Sequence, residues 1–275
     1  MKDIRYGKLL KESFDSLTKN FSQIVIYWLV SALLFLLLLP AVILAVPVFF
    51  IPSTEIKIIL FAILGLISLL GILIIGSMSG SLIISMLYDL ARGKKLDLGN
   101  IKKYITKYWK NVFQINIFIV TLAIASTLVV AIIIGILYLI HPVLSIIAGF
   151  IFLILLIGIT ILAGIFLIFL QPTIAVKKGK AMQILRETIQ YTQKEFSHAA
   201  FTWLIVVLIG SAAALLSLAV TALISMPIIT LGGTETVAGH GIIRSADVIT
   251  NIISSFIGLW LGIFTFKSFL KGKSR

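Results

Sequence analysis

Hydrophobic positions along this chain fall into six long runs, at about 24–46, 58–87, 112–139, 143–170, 199–225 and 249–266. Runs of this length with almost no charge predict membrane-spanning helices. The second holds 30 residues, about 45 Å of helix at 1.5 Å each, so it must tilt, bend or protrude beyond a ~30 Å hydrocarbon core. The first starts after a mixed stretch and is longer than the roughly 7–15 residues of a signal-peptide core, so it is expected to be retained.

The connections are of two alternating kinds. Before runs one, three and five the pattern turns amphipathic. Leu10, Phe14, Leu17 and Phe21 recur at helical spacing, with Lys8, Lys11, Glu12, Asp15 and Lys19 on the other faces. Residues 96–111 continue the scheme, with Ile101, Ile105, Tyr108 and Val112 on one face, and a third such segment follows Lys180. Each predicts a helix lying in the headgroup plane, its apolar side toward lipid. The other connections are the link 49–57, a tight turn at His141-Pro142 and a longer loop at 226–248.

The amphipathic stretches are copies of one another. Residues 186–203 lie over 11–28 without a gap, pairing Arg186 with Lys11, Glu187 with Glu12, Thr188 with Ser13, Lys194 with Lys19, Phe196 with Phe21 and Trp203 with Trp28. A weaker copy pairs Lys102 with Lys11, Lys110 with Lys19, Asn111 with Asn20 and Gln114 with Gln23. The basic-Gly-Lys groups at Gly93, Gly179 and Gly272 mark the other end of each copy, where glycine suits a helix C-terminus and cations suit its dipole. The expected fold is therefore an all-α integral membrane protein in one domain. It has six spans as three parallel two-span repeats, 1–95, 96–180 and 181–275, each preceded by an interfacial helix. An even number of spans per unit gives all copies one orientation about an axis along the membrane normal. Mitochondrial carriers also have three hairpins, but their Pro-x-acid-x-x-basic signature has no counterpart in the odd spans.

Composition sharpens the setting. The chain has 275 residues, 60% of them hydrophobic and 12% charged, with mean hydropathy +1.17, against about 25% charge in a soluble domain. With no cysteine, disulfides and thiolate metal sites are excluded. Of the 23 Lys and Arg, 21 fall in 1–22, 88–111, 171–198 and 267–275; Lys57 and Arg244 are the others. The positive-inside rule then puts both termini and the basic connections in the cytoplasm of a cell-membrane protein. The resulting cationic face should attract anionic headgroups at roughly 1 kcal/mol per well-placed residue. Nothing in the chain reads as a nucleic-acid recognition module.

Candidate chemistry is sparse. Asp89 and Asp247 fall at span ends, and His141, His198 and His240 share no ligand spacing, so neither a metal nor another cofactor is expected. Gly232-Gly233-Thr234 and Gly239-His240-Gly241 lack the strand and helix that a phosphate loop requires. The residues expected to matter at the lipid interface are Lys11, Lys19, Lys102, Lys110, Arg186 and Lys194, with Trp28, Trp109 and Trp203. These tryptophans, together with Tyr27, Tyr104, Tyr108 and Tyr191, form an expected aromatic belt. Gly76 and Gly80, extended by Ser77, Ser81 and Ser85, and Gly258 and Gly262 form small-residue faces for helix packing.

One segment carries a family likeness. In 169–196, Pro172, Lys178-Gly179, Ala181, Leu185-Arg186, Thr188, Lys194 and Phe196 follow a recurring pattern. It resembles that of multispanning prokaryotic proteins related to the membrane domain of some glycerophosphodiester phosphodiesterases. Val176 and Lys177 depart from it where an acidic residue is expected. The resemblance implies a fold and a membrane setting, and no activity. The expected function is non-enzymatic: basic cytoplasmic helices that engage anionic lipid or a partner. The alternative is a transporter component with a path along the repeat axis.

Overall fold

The computed structural model describes residues 5–40, 43, 46–177, 179–230 and 237–273. Among them the chain is helical throughout, with six helices long and apolar enough to cross a bilayer, as in a multi-pass membrane protein. The helices are α1 (Tyr6–Lys19), α2 (Phe21–Phe35), α3 (Thr54–Ala91), α4 (Ile101–Ile140), α5 (Pro142–Leu167), α6 (Leu170–Val176), α7 (Ala181–Lys194), α8 (Phe196–Thr230) and α9 (Val237–Lys273).

Local chemistry sets most boundaries. Ser53 caps α3, its Oγ accepting from the Ile56 N–H at 3.3 Å, and His141 Nδ1 accepts from the Val143 N–H at 3.2 Å with Pro142 in the first turn of α5. Gly93 ends α3 at φ +71°. Its N–H bonds the Leu90 carbonyl and the Lys94 N–H bonds that of Asp89, the paired closure that left-handed glycine allows. Gly179 and Gly272 do not repeat this, since Gly93 is the one described glycine at positive φ and α9 runs on to Lys273.

Four expectations about boundaries are corrected. The first span's α-helix is interrupted after Phe35 by a 3-10 turn at Leu36–Leu38 and is helical again at Leu39 and Pro40, because the Pro40 nitrogen cannot donate to the Leu36 carbonyl. The fourth span breaks after Leu167 and resumes as α6, because Pro172 removes the bond to Ile168 and crowds its carbonyl. The second leading helix is not separate: α4 runs unbroken from Ile101 through the span. Asn20 and Glu195 break the chain at φ −115°, ψ 21° and φ −114°, ψ 39°, whereas Asn111 stays helical. There α3 packs along α4, with Ser81 Oγ donating to the Tyr104 carbonyl at 2.7 Å and accepting from the Tyr108 N–H at 2.9 Å. The fourth correction is the 226–248 loop, of which 226–230 belong to α8 and 237–248 to α9. Gly239, His240 and Gly241 therefore lie within α9, and Gly232-Gly233-Thr234 falls outside the described residues.

Side-to-side packing follows a cycle. α3 packs along α4, α5 packs against α7 and α8, and α9 packs against α1. The basic-end segments of α3, α6 and α9 also touch one another pairwise, forming a hub. Leu87, Leu90, Ile174, Ile263 and Phe266 fill it in one continuous apolar cluster, each at most 3% exposed. Beyond this end the helices keep almost no buried side chains. Phe150 on α5 is 65% exposed and Leu139 on α4 is 85% exposed, as bilayer-facing positions would be.

The four packing glycines divide. A Cβ on Gly80 would lie 3.3 Å from Val112 and one on Gly262 would lie 2.9 Å from Leu87, whereas Gly76 and Gly258 meet nothing within 4 Å. Leu87 is buried and cannot swing away, so overpacking of about 1–3 kcal/mol should exceed the ~1 kcal/mol that alanine gains in a helix. Gly262→Ala is accordingly expected to lower the unfolding midpoint in detergent, and Gly258→Ala to leave it level or raise it. A drop of equal size in both variants would contradict this packing.

Candidate functional site

The functional residues expected from the sequence gather at the end that carries the hub. Lys11, Lys19, Lys102, Lys110, Arg186 and Lys194 are all exposed there. None of the six forms an ion pair among the described residues, where the one such pair is Lys177 Nζ with Glu187 Oε2 at 2.9 Å. Lys177 and then Gln183, hydrogen-bonded to Glu187, hold its carboxyl below the usual range. That local tie is present above the ordinary carboxylate pKa and is lost as pH falls through the lowered one.

The leading helices are not simple lipid floats. In α1 the buried residues are Leu9, Ser13 and Leu17, so Leu17 faces protein. Phe14 and Phe21 stay about half exposed, resting edge-on against Trp260 and Phe256 with ring centroids 5.8 Å apart in each pair. Tyr108 and Val112 of the second amphipathic face are buried as well. The reason is the cycle of contacts: each leading segment has a neighbouring span to lie on, and protein competes with lipid for its apolar face.

The expected aromatic belt likewise divides. Trp28 is 45% exposed and Trp109 and Trp203 are half-buried. Tyr27, Tyr104 and Tyr108 instead lie in the core. Tyr27 donates to the Asp97 carbonyl at 2.7 Å, Tyr108 to the Ala175 carbonyl at 3.0 Å, and Tyr104 to the Asp89 carboxylate. Burial obliges a tyrosine hydroxyl to find a partner, and these partners stitch α2, α3, α4 and α6 together. Asp89 thus serves as a half-buried acceptor in the core.

A second polar cluster joins the first helix to the last two. His198, on the first turn of α8 and 5% exposed, bonds Tyr6 Oη through Nδ1 at 2.7 Å, and its Nε2 lies 3.2 Å from the Ser268 carbonyl. Thr202 Oγ1 meets Ser268 Oγ at 3.0 Å. Phe169 stacks on the imidazole at 5.4 Å. A Cβ on Gly272 would press on Tyr191 Oη and on His198, so close approach explains that glycine. Nearby, Lys267 Nζ donates to the Glu12 carbonyl at 2.7 Å and Ser16 Oγ at 2.9 Å, and Trp260 Nε1 donates to the Leu10 carbonyl at 3.0 Å.

Sequence reasoning gave no part to Tyr6 or Trp260, counted Lys267 only among the cations, and set His198 at the headgroup level, whereas the structure buries it. One signal was present. His198 stands 175 positions after Gln23 and 84 after Gln114, the offsets of the sequence matches, so a hydrogen-bonding side chain stands at each aligned place.

Beside this cluster, α2 and α9 part to leave a groove of about 180 Å³. Phe21, Val25 and Trp28 wall it on one side, and Ile252, Phe256 and Leu259 on the other. No family model, curated protein or solved structure matches the chain.

Proposed function

We propose that the protein is a non-enzymatic, three-unit membrane scaffold whose basic end faces the cytoplasm and recruits anionic lipid through its leading helices. The observation that carries this reading is the set of six exposed cations, two from each copy, without carboxylate partners among the described residues. Unpaired cations at the level of the headgroups attract anionic lipid within a Debye length of about 8 Å.

The repeat reading has support of its own. α1 and α7 have the same length and lie 175 positions apart at both ends. Their interiors agree too: Leu9, Ser13 and Leu17 are buried in one, and Ile184, Thr188 and Thr192 in the other. Ser13 and Thr188 each return a hydroxyl hydrogen bond to the carbonyl four residues back. The packing cycle is what a head-to-tail ring of three units requires, since an unclosed series would leave one interface unpaired. The likeness to the phosphodiesterase-linked membrane family belongs to the same proposal.

The permease reading is the weaker one, because apolar side chains fill the hub where an axial path would have to pass.

The test replaces Lys11, Lys19, Lys102, Lys110, Arg186 and Lys194 with Gln, which keeps helix propensity nearly level. Lipids co-purifying with variant and parent are then compared by mass spectrometry. Retained anionic lipid should fall about tenfold, the effect of ~1.4 kcal/mol, at unchanged topology. Equal retention would remove lipid recruitment and leave the cations only a role in orienting the chain during insertion.

A further inference from the structure

In the packing cycle α3 lies along α4, and α5 touches both α7 and α8. α9 grips α1 through Lys267 and Trp260, yet along the first span the α2–α9 groove stands in place of packed side chains. The seam between the last helix and the first span is therefore open beyond its basic end, and it is walled on both sides by apolar side chains. A second, shallower hollow shares Phe21, Ile252 and Phe256 with it and carries the opening to Thr18, at the end of α1.

We propose that this groove holds one acyl chain of an anionic phospholipid, with the headgroup at the α1 end on Lys19 and Lys11. The proposal rests on the lipid-recruiting reading above and names the site. A chain fits where a helix does not: the Phe21 and Phe256 rings touch edge-on across the seam, centroids 5.8 Å apart, and that contact leaves no place there for a further helix, which needs 8–10 Å between axes. The groove volume of about 180 Å³ gives room for roughly six groups of water size, ~30 Å³ each, which is a stretch of chain. The walls supply little for a polar ligand, Ser255 being the one hydroxyl of the deeper part.

Charge selects the headgroup. Lys11, Phe14 and Thr18 are spaced i, i+3, i+7 and share one face of α1, so the wall of the hollow leads directly to a cation. Lys19 adjoins Thr18. Among the described residues, the two carboxylates of α1, Glu12 and Asp15, form no ion pair with either lysine.

The test uses the full chain in vesicles of equal parts phosphatidylglycerol and phosphatidylcholine, one or the other carrying a diazirine on its acyl chain. Crosslinked peptides are mapped by mass spectrometry. Labelling by phosphatidylglycerol should be enriched about fivefold, ~1 kcal/mol, on 21–28 and 252–259 relative to 150–156 of the exposed α5. Ser255→Phe, or the milder Ser255→Leu should the larger side chain impair folding, should bring it to the α5 level. Lys11→Gln with Lys19→Gln should lower it for phosphatidylglycerol alone. Equal labelling of groove and α5 peptides would overturn the groove site while leaving the lipid-retention result above to stand by itself. Enrichment that ignores headgroup and both lysines would overturn the headgroup assignment, and the recruiting reading with it, and keep the acyl groove.

Discussion

Phe266→Ala should destabilise the protein by about 3–5 kcal/mol, the cost of emptying a buried aromatic site that cannot collapse. Phe266 is 1% exposed and belongs to the cluster in which α3, α6 and α9 meet. The bilayer sharpens the contrast, because the outer helix halves face lipid as apolar as themselves and gain little by packing. Phe150→Ala, at a site 65% exposed, should shift stability by less than about 0.5 kcal/mol. Unfolding by denaturant in mixed micelles measures both. Comparable losses from the two variants would mean that the basic-end core does not dominate stability.

His198→Ala should cost about 2–4 kcal/mol, combining a cavity beside Phe169 with the lost bond to Tyr6 and the polar groups left behind. The larger consequence is topological. Tyr6 and His198 are 192 positions apart, and with Lys267 and Trp260 they tie the start of the chain to its end. Limited proteolysis of α1 should therefore speed up in the variant. His198→Gln puts at this position the residue found at Gln23 and Gln114 and keeps a group that can meet Tyr6 Oη, so it should recover about half of the loss. If His198→Gln is as damaging as His198→Ala while α1 stays protected, packing of the ring matters and the hydrogen bond does not.

Where the chain has a choice of neighbours, the sequence is least decisive. The sequence alignment pairs Asn20 with Asn111, yet Asn20 ends its helix while Asn111 stays within α4 and donates to the Gly179 carbonyl. Phe14 and Leu17 belong to one amphipathic face by spacing, but α9 leaves Phe14 half exposed while Leu17 is fully buried. Tyr27 and Trp28 look alike as belt residues, and the pleat of contacts around α2 buries the first against Tyr104 while leaving the second on the groove. Of four helix glycines, spacing marks all as packing sites, and only Gly80 and Gly262 have a neighbour within reach.

By itself the sequence determined that the chain spans a membrane with six helices, and where its cations lie, because hydrophobic length and charge are read by the bilayer one segment at a time. The likeness of 186–203 to 11–28 was also legible, since it is a property of the letters alone. The tertiary structure decided the closing of the cycle, the apolar hub, the His198 and Asp89 clusters and the open seam between α2 and α9. Each of these depends on which faces of distant helices meet, and the lipid-compatible side chains of such helices leave many pairings nearly equal until specific contacts such as Tyr6 with His198 select among them.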